Sequence, residues 1–231
     1  MLVLVYCVIG IALFYLQDYF LFHPIVLARD YQYRFNIPSR EVDIPFNETD
    51  TLNMVQFFPA DSLRKGIVIY FHGNKGNINR YAKFASDFTR QGYEVWMEDY
   101  PGFGKTVGDR NEKVLYRQAE QVYKMAASKY KKDSIIVYGK SFGTGIAAYI
   151  ASVYDCKQLI LETPYYSMTS MTQHYVPIYP ASLMRYSFPV NKYLQNIKVP
   201  VTIFHGTSDE VIPYKQSVKV KEEFNNINQY L

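Results

Sequence analysis

Apolar residues recur with two different periods along this chain, and the change between them predicts a regular order of strands and helices. Residues 66–72, "GIVIYFH", form an unbroken run of β-branched and aromatic side chains. Such a run is typical of a strand that is buried on both faces of a parallel sheet. Comparable runs predict further strands at residues 93–100, 134–139, 158–163 and 199–206.

Helical periodicity fills the segments between these strands. Ile78, Tyr81, Ala85 and Phe88 share one face of a helix that we expect to end before Gly92. A second helix follows Asp109 and Glu112, which together resemble a capping box. Two more are predicted at residues 142–153 and 214–224. The alternation predicts an α/β fold with a mostly parallel central sheet and helices on both faces.

Two segments depart from this alternation. Before it, "EVDIPF" and "TLNMVQFFPA" predict two antiparallel strands around a turn at residues 47–50. Within it, residues 164–198 are rich in Tyr, Met and Pro and contain no strand pattern, so we predict a small lid insertion there. Its aromatic and methionine side chains either line an acyl pocket or pack the lid onto the domain. They are Tyr165, Tyr166, Met168, Met171, Tyr175, Tyr179 and Tyr186.

The N-terminal residues are apolar and predict a membrane anchor. Residues 2–16 carry no charge, and after Gln17 and Asp18 the apolar character continues to Phe22. We therefore divide the chain into an anchor, residues 1–22, and a domain, residues 23–231. A cleaved signal peptide and a buried or interfacial helix are the alternatives. Basic residues follow the segment and none precedes it, which favours a single-pass protein with a cytoplasmic domain.

Composition narrows the classes of function. The chain has 231 residues, of which 48% are hydrophobic and 20% charged, as expected for one globular domain. Its net charge of +4 comes from scattered lysines, so we expect no nucleic-acid partner. Cys7 and Cys156 are isolated from each other, which predicts neither a disulfide framework nor a zinc site. No cofactor and no metal are expected.

A serine in the segment Gly139-Lys140-Ser141-Phe142-Gly143 is the candidate nucleophile. The segment fits the G-x-S-x-G pattern and lies between a predicted strand and a predicted helix, where that pattern forms a strained turn with the serine at its tip. Two "GK[ST]" strings, at residues 104–106 and 139–141, lack the first glycine of a phosphate-binding loop at the required spacing. An NTPase is therefore not predicted.

Other residues supply the remaining parts of a serine hydrolase. The loop "FHGNKGN" follows the first core strand, and the backbone N–H groups of Asn74 and Phe142 should converge above Ser141 as an oxyanion hole. We interpret His72 as a residue that braces this loop. Asp209 lies in the loop after the strand at residues 199–206, where it could orient an imidazole, and Glu162 is the reserve candidate for that acid.

With these residues in place, the chain resembles the α/β-hydrolase fold family, in particular its membrane-anchored, serine-aminopeptidase-like branch of esterases, thioesterases and lysophospholipases. The resemblance rests on "QDYFLFHP", "FHGNKGN", "DYPGFGKT", "GKSFGTG", "LETPY" and "HGTSDEVIP", which occur in the family order over residues 17–213. It implies that Ser141 is the nucleophile, Asp209 the acid, and Asn74 and Phe142 the oxyanion donors.

The catalytic histidine is where the chain departs from the family. The family carries it one strand beyond the acid, whereas no histidine follows Asp209 here. Of the histidines present, only His174 in the lid is a candidate substitute. Either the sequence is a fragment whose last strand, histidine loop and helix lie beyond Leu231, or it is a short inactive relative. We favour the fragment, because a missing edge strand would leave the sheet uncovered.

The function expected from the sequence is hydrolysis of ester, thioester or related acyl bonds through an acyl-enzyme intermediate, with little activity in this truncated form. The substrate would be an acyl-containing small molecule, a lipid or an acylated protein, and the membrane would be reached through the N-terminal helix. A peptidase is a variant of this hypothesis. The alternative is a catalytically inactive, membrane-tethered binding or scaffold protein that keeps the hydrolase fold.

Overall fold

A mostly parallel sheet forms the centre of the protein in the computed structural model, which describes residues 1–60, 64–225 and 227–230. The strands are β1 His23–Pro24, β2 Ser39–Pro45, β3 Thr51–Phe57, β4 Gly66–Phe71, β5 Lys75–Gly76, β6 Tyr93–Glu98, β7 Ile135–Lys140, β8 Gln158–Glu162, β9 Val201–Phe204 and β10 Ile227–Tyr230. The α-helices are α1 Leu2–Leu21, α2 Ile78–Tyr81, α3 Ala85–Thr89, α4 Glu112–Ala127, α5 Gly143–Val153, α6 Met168–Tyr175, α7 Val190–Leu194 and α8 Lys215–Glu223.

The eight strands of the main sheet are arranged in the order β10-β9-β8-β7-β4-β6-β3-β2. The strands from β10 to β6 are parallel, and β3 and β2 join antiparallel at one edge, which confirms the predicted hairpin. The direction of chain progression reverses at β4, which lies between β6 and β7. In open α/β sheets, ligands bind beyond the carboxyl ends of the strands at such a reversal.

Both faces of the central strands are buried, as the unbroken apolar runs predict. Along β4, Ile67, Ile69 and Phe71 belong to the larger core cluster, whereas Val68 and Tyr70 belong to the cluster on the opposite face. All five are at most 1% exposed. This alternation places helices on both faces of the sheet.

Three local expectations need correction. The first helix is broken into α2 and α3 by a 3₁₀ turn at Ala82–Phe84. The cap of α4 is Asn111 rather than Asp109, because the Asn111 side chain accepts a hydrogen bond from the N–H of Val114 at 3.0 Å. A last strand is present as well, since β10 pairs in parallel with β9, whereas we expected that strand to lie outside the sequence.

The α1 helix projects most of its surface away from the domain. It has 20 residues, about 30 Å at 1.5 Å per residue, and by length and composition it is the one helix among the described residues that could cross a membrane. Only Gly10 and Gln17 of α1 are buried. Its C-terminal end leads into the short β1 strand, which pairs with β5.

A buried carboxyl group lies at the end of β6. Glu98 is 2% exposed, and neither of its side-chain oxygens has a hydrogen-bond partner within the described residues. Burial, reinforced by the nearby Asp99, raises the pKa of Glu98 well above its usual range. The folded protein therefore holds Glu98 in its neutral form at pH values where the unfolded chain ionises it.

This difference makes stability fall with rising pH, because the unfolded chain releases the Glu98 proton first. We expect Glu98→Gln to raise the melting temperature at neutral pH. The gain should shrink below about pH 4, where the unfolded-state carboxyl is protonated as well. Thermal unfolding at the two pH values checks this, with exposed Glu222→Gln as the control. An equal shift of the Glu98→Gln melting temperature at both pH values would contradict it.

Candidate active site

Ser141 occupies a sharp turn between the end of β7 and the start of α5. Its φ angle is 51°, in the left-handed region that non-glycine residues adopt only under local constraint. The constraint is visible on both sides: the Ser141 N–H donates to the Glu162 carbonyl at 2.8 Å, and its own carbonyl accepts from the Thr144 N–H at 2.9 Å. The turn presents the serine side chain beyond the carboxyl end of the sheet.

The glycines beside Ser141 are required by close packing. A Cβ atom at Gly143 would lie 2.1 Å from the carbonyl oxygen of Phe71, the last residue of β4. A Cβ atom at Gly139 would lie 2.7 Å from the Ala147 Cβ atom. Real Cβ contacts are not this short, so side chains at these positions would push β4, β7 and α5 apart.

Two backbone N–H groups next to Ser141 are free to bind an oxygen atom. The loop after β4 lies against the serine, since a Cβ at Gly73 would be 3.7 Å from the Ser141 Cβ. Asn74 and Phe142 line the same cavity as Ser141. In the part of the chain that the structure describes, the N–H groups of these two residues donate to no protein acceptor. This arrangement suits an oxyanion hole.

Contacts with the N-terminal helix hold this loop. The Asn74 side-chain amide donates to the Leu21 carbonyl at the end of α1, and the Asn74 carbonyl accepts from the His23 N–H at 2.9 Å. Phe22 is buried, and its ring packs edge-on against Phe142 with 5.0 Å between centroids. The end of α1 therefore contacts both the loop and the turn.

His72 is a bracing residue by its contacts. Its side chain is fully buried, with Nε2 3.1 Å from an Asp99 oxygen and Nδ1 2.7 Å from the Gly73 carbonyl. Asp99 also accepts from the Ile78 N–H at 3.0 Å. Burial raises the pKa of Asp99, and the hydrogen bond from His72 opposes that rise. Asp99 directly follows β6 and is the first residue of "DYPGFGKT", but its pairing with His72 was not predicted from the sequence.

Asp209 lies in the loop after β9, and one of its oxygens is already engaged. Oδ1 accepts from the N–H groups of Val211 and Ile212, both at 2.8 Å, whereas Oδ2 is 3.8 Å from His205 Nε2. His205 instead contacts the Ile212 carbonyl at 2.9 Å and braces the loop. Val211 and Ile212 line the cavity that contains Ser141, so the Asp209 loop forms part of its border.

His174, the candidate substitute base, is not hydrogen-bonded to Ser141 in the part of the chain that the structure describes. Over residues 1–60, 64–225 and 227–230, no histidine nitrogen is hydrogen-bonded to the Ser141 hydroxyl. His174 is exposed on α6 and packs on the ring of Tyr175. The reserve acid Glu162 is engaged elsewhere, since it accepts from Tyr138 and forms an ion pair with Lys140.

An apolar cavity of about 450 Å³ opens above Ser141. Five of the lid side chains named from the sequence line it, namely Tyr165, Met168, Met171, Tyr175 and Tyr179. Tyr166 and Tyr186 do not. The Tyr166 hydroxyl donates to Glu223 on α8, and that of Tyr186 donates to Asp18 at 2.9 Å.

Sequence reasoning missed the other walls of this cavity. Four residues of α1 line it, as do two residues of the Asp209 loop. They are Leu13, Gln17, Phe20, Leu21, Val211 and Ile212. The signal in the sequence was a polar glutamine, Gln17, near the C-terminal end of the apolar stretch.

The sequence of this chain is similar to those of known α/β hydrolases. A family model described as serine aminopeptidase, S33, matches residues 63–189. Alpha/beta hydrolase domain-containing protein 17C of Xenopus tropicalis is 30% identical over 161 residues, which are 67% of this chain and 50% of that protein. The human protein 17B is 28% identical over 68% of this chain and 55% of its own length. The matched region thus spans about half the length of these curated relatives.

Solved structures share the fold. An alpha-beta hydrolase from Vibrio vulnificus superposes with a TM-score of 0.68 at 22% identity, over 84% of this chain and 73% of that chain. A soluble variant of monoglyceride lipase from Saccharomyces cerevisiae, in complex with a substrate analog, superposes with a TM-score of 0.66 at 17% identity, over 89% and 88%. At these identities the likeness establishes the α/β-hydrolase fold.

The close approach between Phe71 and Gly143 gives a direct test of the turn. We expect Gly143→Ala to destabilise the protein by about 1–3 kcal/mol, because the new methyl group must displace the end of β4. Urea unfolding measures the change. Gly206→Ala is the matched control, since a Cβ there meets nothing within 4 Å. Equal midpoints for the two variants would show that the packing around Gly143 is not tight.

Proposed function

The chain belongs to the serine aminopeptidase S33 family of α/β hydrolases, and from this membership we propose that it is a serine hydrolase of acyl esters or thioesters. The observation that carries the proposal is the left-handed turn at Ser141, at the base of an apolar cavity. Beside it are two backbone N–H groups that have no hydrogen-bond acceptor among the described residues. A glycine-rich packing turn would need neither a serine at its tip nor the free N–H groups.

Each part of the site has a role in the proposed reaction. The Ser141 oxygen attacks the carbonyl carbon, and the charge that develops on the carbonyl oxygen is met by the N–H groups of Asn74 and Phe142. The bond to the leaving alcohol or thiol breaks as that group takes up a proton, which leaves an acyl group on Ser141. Water then attacks the acyl carbon, releases the acid and restores the serine.

The proton of Ser141 needs an acceptor, and the site offers a place for an imidazole. Asp209 Oδ1 is engaged in its own loop, and we propose that Oδ2, 3.8 Å from His205 Nε2, is the oxygen that orients an imidazole. Because no histidine within the described residues is hydrogen-bonded to Ser141, we propose that the serine reacts slowly in this chain. An imidazole supplied from solution would take the role of the base.

We also propose that α1 is a single-pass membrane anchor for a domain of residues 23–231, with residues 164–198 as a lid over the cavity. The length of α1 and its exposed apolar surface support this. The apolar lining of the cavity favours acyl small molecules, lipids or acylated proteins as substrates. The basic residues after α1 favour a cytoplasmic domain.

A second candidate function is a membrane-tethered binding protein that keeps the fold without turnover. The absence of a histidine contact at Ser141 within the described residues favours it. Losing a triad member costs on the order of a million-fold in rate in another serine hydrolase, so a site without its base turns over very slowly. Covalent labelling separates the two candidates.

We expect a fluorophosphonate probe to label Ser141, and added imidazole to accelerate the labelling because it accepts the serine proton. Ser141→Ala should abolish the reaction, whereas Ser128→Ala, at the exposed end of α4, should leave it unchanged. The rate of labelling followed by intact-protein mass spectrometry is the measurement. If no label appears at Ser141 with or without imidazole, the binding-protein candidate replaces the hydrolase.

A further inference from the structure

The cavity above Ser141 lies between the N-terminal helix and the lid. Ser141 and Asn74 are at its base, Leu13 of α1 lines one side, and Met171 of α6 lines another. No lining residue carries an ionised side chain. A cavity of this kind offers no partner for the terminal ammonium group of a peptide, but it accommodates a hydrocarbon chain without leaving a charge unpaired.

One face of α1 is fixed to the lid segment. Gln17 is 7% exposed, and its side chain donates to the Leu183 carbonyl at 2.7 Å and accepts from the Arg185 N–H at 2.8 Å. A glutamine in an apolar helix is costly unless its amide is satisfied, so these two bonds orient the helix. Gln17 thus turns the cavity-lining face of α1 towards the lid.

A second contact fixes the same face nearer the N-terminus. The Tyr6 ring stacks on Tyr179 with 4.8 Å between centroids, and the Tyr6 hydroxyl donates to the Ile178 carbonyl at 3.0 Å. Gly10 permits the approach, because a Cβ there would already lie 3.3 Å from the Tyr179 ring. Positions 6, 10, 13 and 17 recur with helical spacing and form one stripe.

The opposite face of α1 is exposed, and so is the mouth of the cavity. Ile11 is 58% and Tyr15 72% exposed on the outer face. Phe20, Tyr175 and Val211 line the cavity and are also 59%, 57% and 61% exposed, which locates the mouth between α1, α6 and the Asp209 loop. If α1 crosses the bilayer as proposed above, this mouth lies at the membrane surface beside the helix.

We propose that α1 is a wall of the acyl-binding site as well as an anchor, so that the acyl chain of a membrane-derived substrate lies between α1 and α6 with its carbonyl carbon at Ser141. The stretch of α1 from Leu13 to Leu21 provides about 12 Å of wall at 1.5 Å per residue. Short acyl groups would contact only the base of this site. Leu13 therefore discriminates in favour of long chains. The inference rests on the proposed hydrolase function for the identity of the reacting bond.

A photocrosslinking experiment tests whether α1 forms a wall of the acyl-binding site, and it does not require the protein to hydrolyse a substrate. The full chain carrying Ser141→Ala is placed in lipid nanodiscs with a palmitic acid analogue that bears a diazirine near its methyl end. After irradiation, mass spectrometry measures the crosslink to the α6 peptide that contains Met171. We expect a crosslink that unlabelled palmitate displaces, because Met171 lines the cavity.

Two matched substitutions on α1 compare its cavity-lining face with its exposed face. Leu13→Trp should lower the α6 crosslink by about tenfold or more, because the indole fills the volume that the chain needs. Ile11→Trp, on the exposed outer face, should leave it unchanged. Melting temperatures of both variants establish that they fold. An α6 crosslink that is insensitive to Leu13→Trp in folded protein, or no displaceable α6 crosslink at all, would overturn the proposal.

Fluorophosphonate labelling of the protein that retains Ser141 distinguishes the failure of one proposal from the failure of the other. A crosslink that Leu13→Trp abolishes, in a protein whose Ser141 never reacts, supports the cavity wall and removes the hydrolase function. If Ser141 is labelled but the α6 crosslink does not respond to Leu13→Trp, the proposal that α1 forms a wall of the site is wrong and the hydrolase proposal stands.

Discussion

The contact between the end of β4 and the start of α5 is the constraint on which the site depends. β4 and β7 are neighbouring parallel strands, so their carboxyl ends lie side by side. Gly143 approaches the Phe71 carbonyl so closely that no side chain fits between them. This approach brings the loop after β4 against Ser141 and leaves two N–H groups facing the same cavity. A wider spacing of the strands would separate Ser141 from these N–H groups.

The N-terminal helix belongs to this site as much as the sheet does. Its last carbonyl group, on Leu21, accepts a hydrogen bond from Asn74, and Phe22 packs on Phe142. Gln17 fixes the same helix to the lid. The N-terminal helix, the loop after β4 and the cavity are therefore connected through one segment. In the proposal above, a hydrolase anchored by α1 takes its substrate from the membrane.

Sequence patterns predicted the elements and the turn because both depend on local residues. The buried run of β4 and the glycines around Ser141 carry their structural reason in their own neighbourhood. The last strand was expected beyond Leu231, whereas β10 forms at Ile227–Tyr230, and its four residues are too few to show a clear alternation. Asn111 was missed as a cap because Asp109 and Glu112 fit a competing pattern.

The walls of the cavity were harder to predict because they come from distant parts of the chain. α1 is apolar on nearly all sides, so periodicity does not mark the face that contacts the lid. Gln17 and Gly10 mark that face, but their meaning depends on Leu183 and Tyr179, far away in sequence. For the same reason, the tyrosines of the lid could not be divided from sequence into those that line the cavity and those that bind elsewhere.

We propose that Ser141 and the N–H groups of Asn74 and Phe142 form one preorganised acyl-transfer site. A crystal structure of the protein after reaction with a fluorophosphonate tests this geometry. We expect phosphorus bonded to the Ser141 oxygen, with the phosphonyl oxygen within about 3 Å of the backbone nitrogens of both Asn74 and Phe142. A phosphonyl oxygen that points into solvent, away from both nitrogens, would contradict it.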